Sequence, residues 1–326
     1  MLAPHAVVAT SQAPTIHASR RIPGATTNSM KVLLTGSSGR IGRAIFGAMT
    51  EAHEMVGLDR QPFSTTRFVG DVADARVLRA AMPGVEAIIH TAALHAPHVG
   101  IVDEAEFARV NLEGLRLLLD IAAEHGVRTL VYTSTTALYG DAVEPGSCTW
   151  IDEATVPRPK TVYHRTKLEA ESMLEAAAGP QLGVRVIRMS RCFPEAADQM
   201  AVYRLHRGID ARDVADAHMA ALSTNGATFQ RYIASGRTPF QREDADALAH
   251  DPREVLAMRC PALVDAFERR GWPLPRSIDR VYDASAARNA LGWQSRYGFE
   301  EVLAQHDQRS LEVLPRSHWH RDRTTE

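Results

Sequence analysis

The run Met30-Lys31-Val32-Leu33-Leu34-Thr35-Gly36-Ser37-Ser38-Gly39-Arg40-Ile41-Gly42 joins an apolar segment to three evenly spaced glycines. The apolar segment predicts a buried strand, and the apolar spacing that resumes after the glycines predicts a helix. Glycines at such a junction permit a tight turn and let backbone amides approach a pyrophosphate. The helix N-terminus then faces the anion. The dinucleotide contacts expected in this turn are Gly36, Ser38, Gly39, Arg40, Ile41 and Gly42.

A second apolar run ends at Asp59. An acid at the end of the second strand, about 20 residues after the glycines, can bind the ribose 2′-hydroxyl of NAD. Arg40 and Arg60 lie where they could instead meet a 2′-phosphate. The sequence therefore predicts NAD as the cofactor and leaves NADP open. Asp71 and Val72 follow a short third strand, where an adenine ring could bind.

Size and composition narrow the class of protein. The chain has 326 residues, a hydrophobic content of 45% and a net charge of −2. This size suits one large α/β domain with a smaller lobe, and the charge gives no reason to expect nucleic acid or a membrane as partner. The histidines show no metal-ligand spacing, so no metal is expected. The cysteines fit neither a disulfide framework nor a zinc site, which favours the cytoplasm: Cys148, Cys192 and Cys260.

Strands and helices alternate over residues 30–190. Apolar runs at 87–93, 129–133 and 184–188 predict further strands, and amphipathic segments at 104–125 and from about 161 predict helices. This alternation predicts an α/β fold, a Rossmann-type doubly wound parallel sheet with a smaller C-terminal substrate-binding lobe. The expected divisions are a disordered extension over 1–29, or a functional start at Met30, then an NAD(P)-binding Rossmann domain over 30–190, a mostly substrate-binding lobe over 191–310 with returning Rossmann elements near 211–234, and a flexible tail over 311–326.

Tyr163 and Lys167 are four residues apart, so on a helix they share one face. Lys167 is one of only three lysines in a chain with 37 lysines and arginines. A tyrosine normally titrates at about 10, but a nearby ammonium group favours the phenolate. The pair can then remove or return an alcohol proton. Hydroxyls to hold the substrate oxygen follow the fifth strand, at the edge where ligands bind: Ser134, Thr135 and Thr136.

Together these motifs resemble the extended short-chain dehydrogenase/reductase family, also called the NAD-dependent epimerase/dehydratase family. The matching pieces run in family order over about residues 30–220. They are Thr35-Gly36-x-x-Gly39-x-x-Gly42, Asp59, Asp71-Val72, His90-Thr91-Ala92-Ala93 with Pro97, Asn111, Ser134-Thr135 with Tyr139-Gly140, Tyr163-x-x-x-Lys167 and Asp213-Val214-Ala215. The pair Asp283-Ala284-Ser285 and Leu291-Gly292-Trp293 resembles the family's C-terminal end.

The resemblance implies a role for each residue. It makes Thr135 the catalytic hydroxyl, Tyr163 the acid/base, and Lys167 the residue that holds the nicotinamide ribose and tunes Tyr163. Hydride would pass between NAD and a secondary alcohol of a small-molecule substrate, a sugar or sugar-like compound, ending in epimerisation or dehydrogenation. A homodimer is expected through the helices near 104–125 and 161–178. The further cofactor contacts implied are Asp71, Val72, Thr91, Ala92, Ala93 and Asn111.

Two departures from the family pattern bear on the substrate. Thr136-Ala137 stands where family dehydratases carry Asp-Glu, which disfavours 4,6-dehydration. The connection from Pro194 to Asp213 is shorter than in family members that act on sugar nucleotides, which predicts a substrate smaller than a nucleotide sugar, or one that binds differently. A simple NAD(P)-dependent dehydrogenase or reductase of a small hydroxy or keto compound is therefore an alternative. A non-catalytic NAD(P) sensor is a second alternative, although such proteins typically lack the Tyr and Lys.

Three arginines flank the predicted substrate mouth and could anchor a carboxylate or phosphate: Arg191, Arg204 and Arg207.

Overall fold

Nine strands are present in the computed structural model, which describes residues 29–224 and 226–316. They are β1 (Lys31–Thr35), β2 (Glu54–Asp59), β3 (Phe68–Val69), β4 (Ala87–His90), β5 (Thr129–Thr135), β6 (Thr149–Ile151), β7 (Gly183–Met189), β8 (Phe229–Ala234) and β9 (Arg280–Tyr282). Seven of them form one sheet in the order β3-β2-β1-β4-β5-β7-β8, and every neighbouring pair is parallel. The chain leaves β1 towards β2 and returns to β4 on the other side, so a crevice opens between β1 and β4.

The α-helices of the described residues lie between these strands and after β9. They are α1 (Arg40–Met49), α2 (Ala75–Ala81), α3 (Glu104–Ala108), α4 (Gly114–Glu124), α5 (Val162–Ala177), α6 (Ala197–Tyr203), α7 (Ala211–Leu222), α8 (Ala245–His250), α9 (Arg253–Arg259), α10 (Pro261–Arg270), α11 (Ser285–Leu291) and α12 (Phe299–Asp307). A π-helical segment, Arg109–Glu113, joins α3 to α4. None of the described helices is long and apolar enough to span a membrane.

Helices cover both faces of the seven-stranded sheet. Successive residues of a strand point to opposite faces, so Leu33 and Leu34 of β1 enter different cores. Leu33 packs in a core with Leu118 of α4, and Leu34 packs in a core with Ile45 of α1 and Val214 of α7. Burial on both faces is what the uninterrupted apolar runs of a parallel sheet require. The predicted doubly wound parallel sheet is therefore confirmed.

A smaller helical region follows the main sheet. Its core contains Leu248 of α8, Leu256 of α9 and Phe267 of α10. Beside these short helices lies a two-stranded parallel sheet formed by β6 and β9, which was not predicted. Strands of three residues give too little alternation to be recognised from sequence, and residues far apart in the chain form this pair.

Two of the sequence motifs meet in space. The Trp293 side chain donates its Nε1–H to the backbone oxygen of Asp213 at 3.1 Å. The buried Asp213 carboxylate accepts the backbone N–H groups of Arg296 and Tyr297 at 2.8 and 3.1 Å. Burial raises the pKa of Asp213 to about 6 despite these bonds. Asp213 therefore fastens the segment after α11 to the start of α7.

The structure describes only part of the two predicted end segments, the extension over 1–29 and the tail over 311–326. Apart from Ser29, the predicted extension over 1–29 lies outside the described residues, as does the predicted tail from residue 317. The first part of that tail is packed. Leu314 donates its backbone N–H to Glu195 and accepts that of Ala197, at 2.9 and 3.1 Å, and Val313 is buried.

Candidate active site

A cavity of about 680 Å³ opens at the carboxyl edge of the main sheet. It begins at the glycine turn after β1 and extends to Arg207 and Arg280 in the region beyond the sheet. Ligands bind at this edge, beside the strand-order switch, in open α/β sheets. The predicted site residues that line it are Gly36, Gly39, Arg40, Ile41, Gly42, Asp59, Val72, Thr91, Ala92, Ala93, Ser134, Thr135, Tyr163, Lys167, Arg191 and Arg207.

The glycine turn is packed too closely for side chains. Gly36 has φ +75°, and a Cβ added there would lie 2.4 Å from the Thr91 hydroxyl oxygen. A Cβ on Gly42 would lie 2.0 Å from the carbonyl oxygen of Gly36. The first clash involves the loop after β4, and the second involves the turn itself. Glycine at both positions lets β1, α1 and the loop after β4 pack closely together under the cavity.

The N-terminus of α1 has the properties of an anion site. Gly39 is its N-cap and provides no side-chain cap, and the first turn holds no acidic residue. Arg40 lines the cavity beside it and forms an ion pair with Glu312. Its buried Nε has no hydrogen-bond partner among the described residues. Free helix N–H groups and a guanidinium group fit the pyrophosphate of a dinucleotide.

Asp59 lines the cavity at the end of β2. Its Oδ2 accepts the backbone N–H of Ser38 at 3.0 Å, and its Oδ1 accepts that of Gln61 at 2.9 Å. The carboxylate is thereby held between the glycine turn and the following loop. This position suits a ribose hydroxyl, which can donate to a fixed carboxylate. Ser38 itself does not line the cavity, and its backbone N–H donates to Asp59.

Two other predicted cofactor contacts lie behind the cavity wall. The Asn111 side chain accepts the backbone N–H of Leu94 at 2.8 Å, and donates to the Leu94 oxygen and the Thr166 hydroxyl at 3.0 Å each. It sits in the π-helical segment and joins the loop after β4 to α5. Asp71 accepts the backbone N–H of Ala73 at 2.8 Å and a guanidinium N–H of Arg109 at 2.6 Å.

The predicted substrate arginines divide into two kinds. Arg191 and Arg207 line the cavity. Arg204 does not, because its side chain is buried and donates to the buried carboxylate of Asp210 at 3.1 Å. The expectation that Arg204 flanks the substrate mouth is therefore not met. Its sequence position between two cavity arginines gave no sign that the turn after α6 points it inward.

Tyr163 lies in the first turn of α5, against the end of β5. The helix begins after Thr161, whose hydroxyl accepts the backbone N–H of His164. Burial raises the pKa of Tyr163 to about 12, while the neighbouring Thr135 hydroxyl acts in the opposite direction. The Thr135 hydroxyl is also fixed by the backbone, since it accepts the N–H of Ala137 at 3.0 Å. The structure thus places the Tyr163 phenol and the predicted Thr135 hydroxyl in the wall of one cavity.

Lys167 is buried one helical turn after Tyr163. Its Nζ donates to the Thr133 carbonyl oxygen at 2.7 Å and to the Tyr132 hydroxyl at 3.1 Å. The same Nζ lies 4.4 Å from the centroid of the Tyr132 ring. Burial lowers the pKa of Lys167 to about 7, and the Glu171 carboxylate acts against this. The lysine is therefore held in one position by strand β5 before any ligand binds.

The neighbouring hydroxyls differ in their surroundings. Ser134 donates to Glu171 at 2.6 Å, and its side chain is committed to that carboxylate. Thr136 is buried. Of the three hydroxyl residues predicted at the end of β5, Thr135 is the one that acts on the pKa of Tyr163.

The histidines near the cleft have structural partners. His90 is buried, its Nδ1 lies 2.7 Å from the Thr35 hydroxyl, and burial lowers its pKa to about 3. His95 lines the cavity and stacks on Phe193, with ring centroids 5.9 Å apart. Sequence reasoning did not find Phe193, Arg280 or Tyr282, which also line the cavity, because they lie in irregular or very short elements.

Comparison with known proteins identifies relatives of this chain. The sequence profile of the NAD dependent epimerase/dehydratase family matches residues 32–198. The NAD-dependent glucose-6-phosphate dehydrogenase of Haloferax volcanii is 31% identical over 161 residues, 44% of this chain and 60% of that enzyme. That alignment thus spans less than two thirds of the relative. The dTDP-glucose 4,6-dehydratase of Streptomyces antibioticus is 27% identical over 322 residues, 84% of this chain and 90% of that enzyme.

Solved structures share the fold. A short-chain dehydrogenase/reductase superfamily protein from Agrobacterium tumefaciens, solved with bound NAD, has a TM-score of 0.66 at 21% identity and covers 86% of this chain and 98% of its own. UDP-glucose 4-epimerase from Thermotoga maritima has a TM-score of 0.64 at 17% identity and covers 86% and 99%. The family predicted from the motifs is confirmed by the profile match. The chain belongs to the NAD dependent epimerase/dehydratase family, whose members are NAD-dependent enzymes of the extended short-chain dehydrogenase/reductase type.

Proposed function

We propose that this enzyme transfers a hydride between NAD and a secondary alcohol of a sugar or sugar-like substrate, with Tyr163 as acid/base. The observation that carries the proposal is the placement of Tyr163, Thr135 and Lys167 in the wall of the same cavity that holds the glycine turn. A substrate oxygen placed between the two hydroxyls can exchange its proton with Tyr163 while Thr135 holds it in position.

The protein must lower the pKa of Tyr163 for this step, because burial alone raises it to about 12. Lys167 in its protonated form favours the phenolate from the same helix face. When bound, NAD supplies the acceptor and donor of the hydride, and the positive charge of its oxidised ring also favours a nearby phenolate. Thr133 and Tyr132 hold the Lys167 ammonium group where it can act on Tyr163.

The proposed cofactor contacts follow the cavity wall. The glycine turn and the α1 N-terminus would hold the pyrophosphate, and Asp59 would hold the adenosine ribose. Val72 and the loop at Thr91, Ala92 and Ala93 line the same wall. Asn111 and Asp71 would act indirectly, by positioning the loops that form the site.

Removal of a hydride from a secondary alcohol leaves a ketone. The net reaction depends on whether this ketone is released or is reduced again in the site. Thr136-Ala137 supplies no carboxylate beside Thr135, so elimination of a neighbouring hydroxyl has no acid or base at this position. Re-reduction on the other face would give an epimer, and release would give a dehydrogenase product. The turnover of NAD distinguishes them, because an epimerase reuses its cofactor and a dehydrogenase consumes it stoichiometrically.

The test begins with the cofactor released from purified, denatured protein, identified by mass and absorbance. The native protein is then given NAD and a panel of neutral, acidic, phosphorylated and nucleotide-linked sugars, while NADH and sugar isomers are measured. NADH accumulation indicates dehydrogenation, and isomer formation without NADH indicates epimerisation. Absence of both with every panel member contradicts the proposal.

A variant pair tests the role of Tyr163. Tyr163→Phe should lower kcat by about 10²–10⁴-fold, the usual contribution of a general acid or base. Tyr232→Phe is the matched control, because its buried ring lies in β8 and its hydroxyl bonds Gln230. The control should keep the wild-type rate. A wild-type rate in Tyr163→Phe would remove Tyr163 from the proposed mechanism.

A further inference from the structure

Charge is unevenly distributed around the cavity. Among the described residues that line it, Asp59 is the only carboxylate, and it lies at the glycine-turn end. Four further cations line the cavity: Lys160, Arg191, Arg207 and Arg280. They share three counter-ions that do not line it: Asp141, Glu195 and Asp279. The pyrophosphate of a dinucleotide would be matched at the glycine turn, where Arg40 lies. The excess positive charge at the other end therefore needs a separate explanation.

A backbone hydrogen bond makes Arg191 and Arg207 neighbours. The backbone N–H of Arg191 donates to the Arg207 carbonyl oxygen at 3.0 Å. Both guanidinium groups lie over the Tyr203 ring, at 5.9 and 4.8 Å from its centroid. Arg191 also donates to Glu195 at 2.7 Å. The aromatic ring and the backbone hydrogen bond hold both arginines at one side of the cavity.

Arg207 and Arg280 share one counter-ion. Arg280 donates to both carboxylate oxygens of Asp279, at 3.1 and 2.5 Å, and Arg207 Nη1 lies 3.5 Å from the same carboxylate. Both arginines line the cavity, whereas Asp279 does not. Two guanidinium groups with one carboxylate leave a net positive charge facing the ligand space. Guanidinium groups bind carboxylates and phosphates through paired N–H donors.

Strand β9 places this charge near the reactive hydroxyls. Arg280 and Tyr282 are two residues apart, so they point to the same side of the strand, about 6–7 Å apart along it. The Tyr282 hydroxyl donates to the carbonyl oxygen of Thr136 at 3.4 Å, directly after Thr135 in the chain. Arg280, Thr135 and Tyr163 line the same cavity, so a ligand held at Arg280 can extend to the reactive hydroxyls.

We propose that Arg191, Arg207 and Arg280 form an anion-binding subsite, and that the substrate is a monosaccharide-sized compound carrying a carboxylate or phosphate group. This inference rests on the proposed function, and it names the substrate class. The short connection from Pro194 to Asp213 agrees with it, because little chain is available there to enclose a nucleotide. The anionic group would fix which carbon faces Tyr163.

Binding is measured by calorimetry in Tyr163→Phe protein saturated with NAD, so that nothing is turned over. The probes are hexuronates, hexose phosphates, the corresponding neutral hexoses and UDP-glucose. We expect at least one anionic monosaccharide to bind 10-fold or more tightly than its neutral counterpart. Arg207→Gln and Arg280→Gln should each weaken that ligand by about 10–100-fold, the usual effect of losing a charged hydrogen bond.

Three controls keep the result interpretable. Arg76→Gln removes a guanidinium group that is 92% exposed and should change nothing. Arg280→Lys keeps the charge without the paired donors and should fall between wild type and Arg280→Gln. NAD affinity, measured on each variant, should stay within about twofold of the parent protein, which shows that the fold is intact.

Three results would overturn the inference. The first is equal binding of anionic and neutral monosaccharides. The second is an anion preference that survives in Arg207→Gln and Arg280→Gln. The third is tightest binding of UDP-glucose, which would assign the arginines to a nucleotide diphosphate. Each result leaves the proposed hydride transfer to be judged by the rate of Tyr163→Phe, since the binding test does not depend on turnover.

Discussion

Glu171 and Arg188 form an ion pair in the protein interior, with Arg188 Nη2 donating to Glu171 Oε2 at 2.6 Å. Their side chains are 1% and 4% exposed. Glu171 also accepts from Ser134, and Arg188 also donates to the Tyr139 hydroxyl at 2.7 Å. This network ties α5, which carries Tyr163, to the ends of β5 and β7. It lies directly behind the proposed reactive hydroxyls.

Removing one charge of this pair should destabilise the protein. Glu171→Gln leaves the Arg188 guanidinium group buried without its counter-ion, which typically costs about 3–5 kcal/mol. Glu175→Gln is the matched control one turn along α5, because its carboxylate is 54% exposed and pairs with Arg231. Its loss should cost less than about 1 kcal/mol. Urea unfolding of both variants measures the difference, and equal effects would contradict the importance assigned to burial.

The glycine turn provides a test within one helix. Gly42→Ala would put a Cβ 2.0 Å from the Gly36 carbonyl oxygen, so α1 must move away from β1. We expect a loss of about 1–3 kcal/mol in the free energy of unfolding and NAD binding at least tenfold weaker. Gly47→Ala, later in α1, meets no atom within 4 Å and should stabilise by about 0.5–1 kcal/mol. Unchanged NAD affinity in Gly42→Ala would show that the turn tolerates a side chain.

Asp59 should set the preference for NAD over NADP. Its carboxylate lines the cavity beside Arg60, whose side chain is 52% exposed. Asp59→Ser removes the carboxylate that repels a 2′-phosphate, while the Arg60 guanidinium group stays. The Kd for NADP should therefore fall by about tenfold or more, which corresponds to ~1.4 kcal/mol of binding free energy. The Kd for NAD should rise, because a ribose partner is lost. Fluorescence titration with both nucleotides measures the ratio, and an unchanged ratio would mean that Asp59 does not contact the ribose.

The fold could be predicted because its signals are local. The apolar runs of the buried strands, the glycine spacing and the amphipathic helices each depend on residues close in sequence. The pair Tyr163 and Lys167 was found for the same reason, since four residues make one helical turn. Asp59 was found by its position at a strand end.

The rest of the site depends on contacts between distant segments. Arg280 reaches the cavity through a three-residue strand that pairs with β6, about 130 residues earlier. Arg204 and Arg207 are three residues apart, yet only one faces the cavity, because the turn after α6 has no regular period. Asn111 is recognisable in sequence, but its role in bracing Leu94 is visible only in the folded chain. The homodimer expected through the helices near 104–125 and 161–178 stays a prediction.

The buried lysine predicts how stability depends on pH. Burial lowers the pKa of Lys167 to about 7, below its ordinary value of about 10.4 in an unfolded chain. Between these two values the unfolded chain binds a proton that the folded protein lacks, so unfolding becomes less favourable as pH rises. The stabilisation is complete above the unfolded pKa and is lost progressively as pH falls from there to the folded pKa of about 7. In Lys167→Met this contribution is absent. The difference in unfolding free energy between wild type and Lys167→Met, measured without NAD, should therefore change in favour of wild type from pH 7 to pH 10, by up to about 1.4 kcal/mol per pH unit. A difference that does not vary with pH would mean that Lys167 stays charged in the folded protein, and its ammonium group would then be available to Tyr163 at every pH in this range.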